Sequence, residues 1–272
     1  MPKLSVAGSE LYYERRGSGE PLLLIHGLGG HSMHWGEPFL SQLEGDFELI
    51  PFDNRGAGQS TAGSEDFTIA DLAGDTLGLL DALEVDRAHV LGISMGCMVA
   101  QELALRAPAR VITLTLGGTS PGGTQAKATS QEVVQELTAA VFSGDKDWML
   151  RTGYEIVVSP EFAADPANYA AFSEAARQHP AELQLLMSQY AAVNGHDVYA
   201  RLRAISVPTL VIHGTADRML EATNGDLIAS LIPDARLELF DGVGHLFYLE
   251  RPEESARLVR QHAAAARERQ SG

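Results

Sequence analysis

A chain of 272 residues that is 45% apolar and 21% charged can bury a sizeable core, and one domain, or one domain with an insertion, is the expectation. Its 20 Lys and Arg against 36 Asp and Glu give a net charge of −16, with no basic cluster to neutralise phosphates, which argues against nucleic acid and anionic membrane surfaces as partners. A single cysteine, Cys97, excludes an intrachain disulfide and a thiolate metal cluster, and the lack of a leader pattern or of 18 consecutive apolar residues makes a cytoplasmic location the expectation.

In chain order, "KLSVA" and "LYYERR" predict an opening hairpin that turns at Gly8 and Ser9. Six short apolar runs follow: "PLLLIH" (21–26), "FELIPFD" (47–53), "AHVLGI" (88–93), "VITLTLG" (111–117), "PTLVIHG" (208–214) and "ARLELFD" (235–241). Most are near-continuous Val, Leu and Ile, the pattern of parallel strands covered on both faces. Helical patterns fall between them, at about 34–43, 68–84, 95–107, 222–231 and 252–267. The alternation predicts an α/β fold with a mostly parallel, eight-stranded sheet and helices on both faces.

One connection breaks this rhythm. About 90 residues separate "VITLTLG" from "PTLVIHG", where a crossover needs about a dozen or slightly more. The stretch carries helical patterns of its own, "SQEVVQELTAAVF", "DWMLRTGYEIV", "AELQLLMSQYAAV" and "HDVYARL". The expected organisation is a core domain of residues 1–120 and 204–272, with a helical cap of residues 121–203 inserted after the sixth strand.

Two stretches match Gly-x-Ser-x-Gly, and context separates them. Ser94, in "GISMG", lies between an apolar strand and a helix. Gly92 permits a sharp turn, and Gly96, Ala100 and Ala104 give the helix a small face for close approach to the sheet. Met95 places a backbone N–H at a helix N-terminus, where a developing anion is favoured. Ser120, in "GTSPG", is followed by Pro121, which has no N–H to donate, and then by loop. Ser120 reads as a turn residue.

A serine hydroxyl needs a positioned base, itself oriented by an acid. Asp217 falls just past the strand "PTLVIHG", at the end of a parallel strand where ligands gather. Only His245 and His262 follow it, and His262 belongs to a polar terminal helix. His245 sits in a glycine-flanked loop after the last strand. Ser94, Asp217 and His245 therefore form the candidate catalytic set, with the N–H groups of Leu28 (in "HGLGG") and Met95 as oxyanion donors. No metal or organic cofactor is required by this chemistry.

With these residues in place, the sequence resembles the α/β-hydrolase superfamily over nearly its full length, through "HGLGG", "FDNRGAGQS", "GISMG", "HGTAD" and "GVGHLFYLERPEE". "TIADLAGDTLGLLDAL" and "GISMGCMVAQELALRAP" look most like the branch of 3-oxoadipate enol-lactonases and carboxylesterases. That resemblance implies hydrolysis of a carboxylic ester or lactone through an acyl-enzyme, and it gives Asp53 and Arg55 a structural part. C–C bond hydrolysis, cofactor-free perhydrolysis and a ligand receptor with little turnover are alternatives on the same triad. A dinucleotide site is weaker. Gly27-x-Gly29 and Asp53 suit it, but Ser32 stands where the third glycine belongs.

The substrate is less legible. Trp148, Met149, Tyr154, Phe162, Phe172, Met187 and Tyr190 populate the insertion, where such residues more often pack a lid than line a pocket. Its cations (Lys127, Lys146, Arg151, Arg177, Arg201 and Arg203) are scattered among acids. Unless Arg151 or Arg177 turns inward, the expected partner is a small, uncharged and largely apolar ester or lactone. Oligomeric state is not legible.

Overall fold

The computed structural model describes residues 2–62 and 66–271. Strands β1 (Lys3–Val6) and β2 (Ser9–Tyr12) form an antiparallel hairpin apart from the main sheet. In chain order the main sheet comprises β3 (Arg16–Gly17), β4 (Glu20–Ile25), β5 (Phe47–Phe52), β6 (Ala88–Ile93), β7 (Val111–Gly117), β8 (Thr209–Gly214) and β9 (Arg236–Phe240). Their spatial order is β3-β5-β4-β6-β7-β8-β9, and every pairing is parallel except β3 with β5. The C-terminal ends of the six parallel strands therefore lie along one edge, and the loops that follow them gather there.

The mostly parallel architecture agrees with the sequence reading, but the strand count differs. "LYYERR", expected as one strand of an eight-stranded sheet, divides in two and leaves seven strands in the main sheet. Pro51 supplies the reason. The Glu14 N–H donates to the Pro51 carbonyl at 3.0 Å, and Pro51 has no N–H to return the second bond of that antiparallel pair. Only the isolated Tyr13–Phe52 bridge and the two-residue β3 remain. The first turn also shifts by one residue. Ala7 and Gly8 take positive φ values of 47° and 85°, while Ser9 already pairs with Val6.

Strand periodicity explains the continuous apolar runs. Leu23 and Ile25 of β4 point to one face with Ile50, Val90, Leu114 and Val211, under Leu72, Leu79, Val99, Leu103 and Ile228 from the helices Ile69–Ala82, Met95–Arg106 and Thr223–Leu231. Leu22 and Leu24 point to the other, with Leu49, Leu91, Ile93, Leu210 and Ile212 against Trp35, Phe39, Tyr248 and Val259. The helix expected at 34–43 divides at Gly36 (φ 72°) into a 3₁₀ turn, Ser32–Trp35, and a short helix, Glu37–Leu40.

Between β7 and β8 the chain forms the helices Gln131–Phe142, Lys146–Val157, Pro160–Ala163, Pro166–Gln178 and Leu183–Asn194. Ser130, Asp145, Ser159 and Asp165 cap the first four, each side chain accepting a first-turn N–H. The ends of the excursion meet. Gly122 bridges Asp197, the Gly123 N–H donates to the His196 carbonyl at 3.1 Å, and the Val198 N–H to the Pro121 carbonyl at 3.0 Å.

Candidate active site

Ser94 occupies the abrupt turn between β6 and the helix Met95–Arg106, with φ 56° and ψ −123°. A non-glycine residue in such a conformation costs roughly 1–3 kcal/mol and persists only when its surroundings enforce it. They do so here. The Ser94 N–H donates to the Gly117 carbonyl (2.9 Å), and its own carbonyl accepts from Cys97 N–H (3.0 Å) and Thr119 Oγ1 (3.0 Å). A Cβ at Gly92 would lie 2.6 Å from the Gly96 carbonyl oxygen, and one at Gly96 would lie 2.0 Å from that of Ile25. Both positions require glycine for backbone to pass backbone. Beneath the turn, the Cys97 thiol donates to the Gly117 carbonyl at 3.1 Å, and burial pushes its pKa far up, which leaves it an inert packing group.

Asp217 and His245 come together from the ends of β8 and β9. His245 Nδ1 lies 2.7 Å from Asp217 Oδ2, with both residues buried. Asp217 Oδ1 accepts the Met219 and Leu220 N–H groups at 2.8 and 2.9 Å. His213 Nε2 adds a contact to Oδ2 at 3.1 Å and donates to the Leu220 carbonyl at 2.8 Å. Burial pushes the Asp217 carboxyl up, yet His245 and the hydrogen bonds from His213 and His245 prevail and hold it well below the usual carboxylate range. The carboxylate fixes the proton on Nδ1 of His245 and leaves Nε2 as the acceptor. His213 was missed in the sequence, although its place four residues before Asp217 was a usable signal.

The end of β7 bridges the two halves of the site. Gly117 holds the Ser94 backbone, and a Cβ on Gly118 would lie 3.0 Å from His245 Nδ1. No hydrogen bond joins Ser94 Oγ to His245 among the described residues. The loop after β4 comes against Ser94 directly, since a Cβ on Gly27 would lie 2.9 Å from Ser94 Cβ. The N–H groups of Leu28 and Met95 have no acceptor among the described residues. Leu28 is 38% exposed.

The support of this loop is longer-ranged than the sequence suggested. His26 Nδ1 accepts the Gly27 N–H at 2.8 Å, so its Nε2–H donates to the Tyr248 hydroxyl at 2.8 Å, and that hydroxyl donates to the His34 carbonyl at 3.3 Å. Burial pushes His26 down to about 3, which keeps the ring neutral in that tautomer. A Cβ on Gly30 would lie 1.8 Å from the same Nδ1. From the excursion, Gln189 Oε1 accepts the Gly29 N–H at 2.7 Å. Glu250 is a further unforeseen brace. It accepts the N–H groups of Gly244 and Ser159 and the Ser159 hydroxyl at 2.9, 2.8 and 2.5 Å.

Other candidates fall into structural roles. Asp53 accepts the Ser32 and Gln59 N–H groups at 2.6 and 2.8 Å, so its carboxylate is engaged by the neighbouring loops. Arg55 forms a two-pronged pair with Asp75, both contacts 2.6 Å. Ser120 is buried and accepts the Gly122 N–H at 3.3 Å. No group of three or more His, Cys, Asp or Glu among the described residues is placed to share a metal ion. No helix among them is long and apolar enough to cross a membrane.

A family model described as the alpha/beta hydrolase fold matches residues 20–252. The putative carbamate hydrolase RutD of Azorhizobium caulinodans is 29% identical over 256 residues, covering 93% of this chain and 94% of the relative. The 3-oxoadipate enol-lactonase 1 of Acinetobacter baylyi is 29% identical over 233 residues, covering 85% and 84% respectively. A crystal structure of a hydrolase from Pseudomonas aeruginosa PA01 superposes with a TM-score of 0.83 at 32% identity, covering 96% of this chain and 97% of the other. The family match spans most of the sequence, and the chain belongs to the alpha/beta hydrolase fold family.

Proposed function

We propose that this hydrolase cleaves a carboxylic ester or lactone through an acyl-enzyme, with Ser94 as nucleophile. The observation that carries the reading is a serine held at φ 56° on a strand-to-helix turn, at the same sheet edge as a buried His245–Asp217 pair 2.7 Å apart. His245 takes the Ser94 proton through Nε2 as the hydroxyl attacks the carbonyl carbon, while Asp217 stabilises the imidazolium. The tetrahedral oxyanion falls to the N–H groups of Leu28 and Met95, each donor supplying about 2.7–4 kcal/mol of transition-state stabilisation. His245 then protonates the departing alkoxide. A water that it activates releases the acid and restores Ser94. The step needs no metal or organic cofactor.

Residues 121–203 act in this reading as the cap over the site, as the meeting of their two ends supports. An uncharged substrate is favoured by the placement of the two cations on which the question turned. Arg151 pairs with Glu155 at 2.5 Å, Arg177 with Asp147 at 2.8 Å, and both side chains are exposed. The test is a panel of neutral esters, lactones and carbamates assayed beside fluorophosphonate labelling of Ser94. Carbamates belong in it because a relative is named a putative carbamate hydrolase. Turnover of esters or lactones with stoichiometric label on Ser94 is expected. Label on another residue, or turnover confined to carbamates, overturns the assignment.

A further inference from the structure

Helix Leu183–Asn194 is where the excursion presses on the candidate oxyanion loop. A Cβ on Gly29 (φ 70°) would lie 2.9 Å from Leu186 Cδ2, and one on Gly56 would lie 2.9 Å from Leu185 Cδ1. Among these apolar contacts stands one polar side chain. Gln189 is fully buried, and its Oε1 accepts the Gly29 N–H at 2.7 Å. That bond settles the orientation of the carboxamide, because only the oxygen can accept from an N–H. The NH₂ end is thereby fixed too. Gln189 Nε2 is sealed from solvent and has no acceptor among the described residues.

A buried amide nitrogen without a partner is an unfavourable arrangement, and native structures rarely keep one without a use. The neighbours that helix Leu183–Asn194 brings here, Leu185 and Leu186, offer no side-chain acceptor. The Gly29 to which Gln189 is bound directly follows Leu28, and adjacent Cα atoms stand about 3.8 Å apart. The Gln189 carboxamide is therefore anchored to the loop one residue from Leu28, the candidate oxyanion donor.

We infer that Gln189 is a specificity-determining residue. Its oxygen holds the oxyanion loop, and its NH₂ donates to a second oxygen acceptor of the substrate, a ketone, ether or hydroxyl one or two carbons from the scissile carbonyl. The inference rests on the reading of Ser94 as nucleophile. It selects, among neutral esters and lactones, those that carry such an oxygen. An apolar acyl chain at that point leaves the NH₂ unpaired, and a site built to hydrogen-bond a group discriminates strongly against an analogue that lacks it.

The two roles separate in a cycle of two esters and two proteins. Ethyl 3-oxobutanoate carries a ketone two carbons from the point of cleavage, and ethyl butanoate does not. Gln189→Met removes acceptor and donors at similar volume. Loss of the loop contact lowers kcat for both esters alike, whereas loss of the NH₂ acts on the oxo ester alone. We expect kcat/KM for ethyl 3-oxobutanoate to fall about tenfold or more beyond the fall for ethyl butanoate. The intrinsic reactivities of the esters cancel in this ratio.

Gln189→Glu gives the same comparison should Gln189→Met not fold. Its carboxylate keeps an acceptor for Gly29 and loses the donors, and the effect of its charge on the oxyanion is common to both esters. Equal falls for the two esters, with wild-type Ser94 still labelled by a fluorophosphonate, overturn the role of Gln189 and leave the nucleophile in place. No label on Ser94 and no turnover of either ester in the wild type overturn the nucleophile and, with it, this inference.

Discussion

The loops at the end of the sheet and the helical excursion beside them are built by different means. Strands β6 and β8 are buried along their whole length, and the residues that follow them are locked by backbone hydrogen bonds. Ser94 and Asp217 each engage three or more neighbours within a few residues of a strand end. In the excursion, by contrast, Phe142 is 84% exposed, Trp148 47% and Met187 56%. Its ion pairs, such as Arg151–Glu155 and Arg177–Asp147, lie at the surface, where solvent and salt screen them. The difference teaches where each property resides. If Ser94, His245 and Asp217 act as proposed, the bond-breaking groups sit on the rigid edge, and the proposed selection among substrates falls to the more exposed helices.

If that division holds, changes at the sheet edge abolish turnover without unfolding the chain. The largest effect is expected from Ser94→Ala, a loss of about five orders of magnitude in kcat or more, as when the nucleophile of a serine protease is removed. The melting temperature stays level or rises, since alanine removes no buried hydrogen bond of the Ser94 hydroxyl. Ser120→Ala is the control, with hydrolysis near wild type. Fluorophosphonate attachment to Ser120, or to the Ser94→Ala protein, would break the assignment.

Next comes Asp217→Asn. An amide holds the imidazole in the wrong tautomer, and the corresponding exchange in a serine protease costs about 10⁴ in kcat. A loss of that order is expected, with KM little changed. A variant that retains more than about a tenth of wild-type kcat would place the orienting acid elsewhere.

Glu250 joins the two regions, and its removal tests whether they are separable. Its carboxylate binds Ser159 at the start of helix Pro160–Ala163 and Gly244 beside His245. Glu250→Ala leaves two buried N–H groups without an acceptor, at roughly 1–3 kcal/mol each. At about 2–4 °C per kcal/mol for a chain of this size, the melting temperature drops by about 10 °C. A loss in kcat of about tenfold, with KM less affected, follows if the bond also steadies the loop of His245. Calorimetry and ester kinetics on the same preparation check both. An unchanged melting temperature would mean that the stitch between the regions lies elsewhere.

The legibility of the molecule follows the same division. β4, β6, β7 and β8 stand out because burial on both faces leaves few polar positions to interrupt the apolar run, whereas β9 at the sheet edge is mostly exposed or half-buried. The elbow is readable because backbone contact at Gly92 and Gly96 tolerates only glycine, and Asp217 because it closes a strand. Apart from His213, what was missed acts over long separations. Gln189 meets Gly29 across 160 residues, and Glu250 meets Ser159 across 91. Neither has a local pattern to announce it. The division of "LYYERR" depended on a proline in a different strand, which no reading of that segment alone could show.

The smallest expected effect concerns substrate charge, and it bears on the helical region alone. A carboxylate-bearing substrate requires a cation to offset its desolvation. Arg151 lies 4.4 Å from the Tyr169 ring centre and is paired with Glu155, and Arg177 is paired with Asp147. Arg201 is paired with Glu102 and Lys127 with Glu221. Lys146 and Arg203 are exposed. Each of these cations is thus committed to an acid or turned to solvent, and the net charge of −16 repels anions at long range. A neutral ester is expected to show a kcat/KM about tenfold above that of its carboxylate-bearing analogue, a gap that narrows as added salt screens the repulsion. Arg151→Ala and Arg177→Ala leave the ratio unchanged. If instead the anionic analogue is the better substrate, and either substitution removes its advantage, then one of these arginines leaves its carboxylate to bind substrate, and the helical region reorganises far more than its resting contacts indicate.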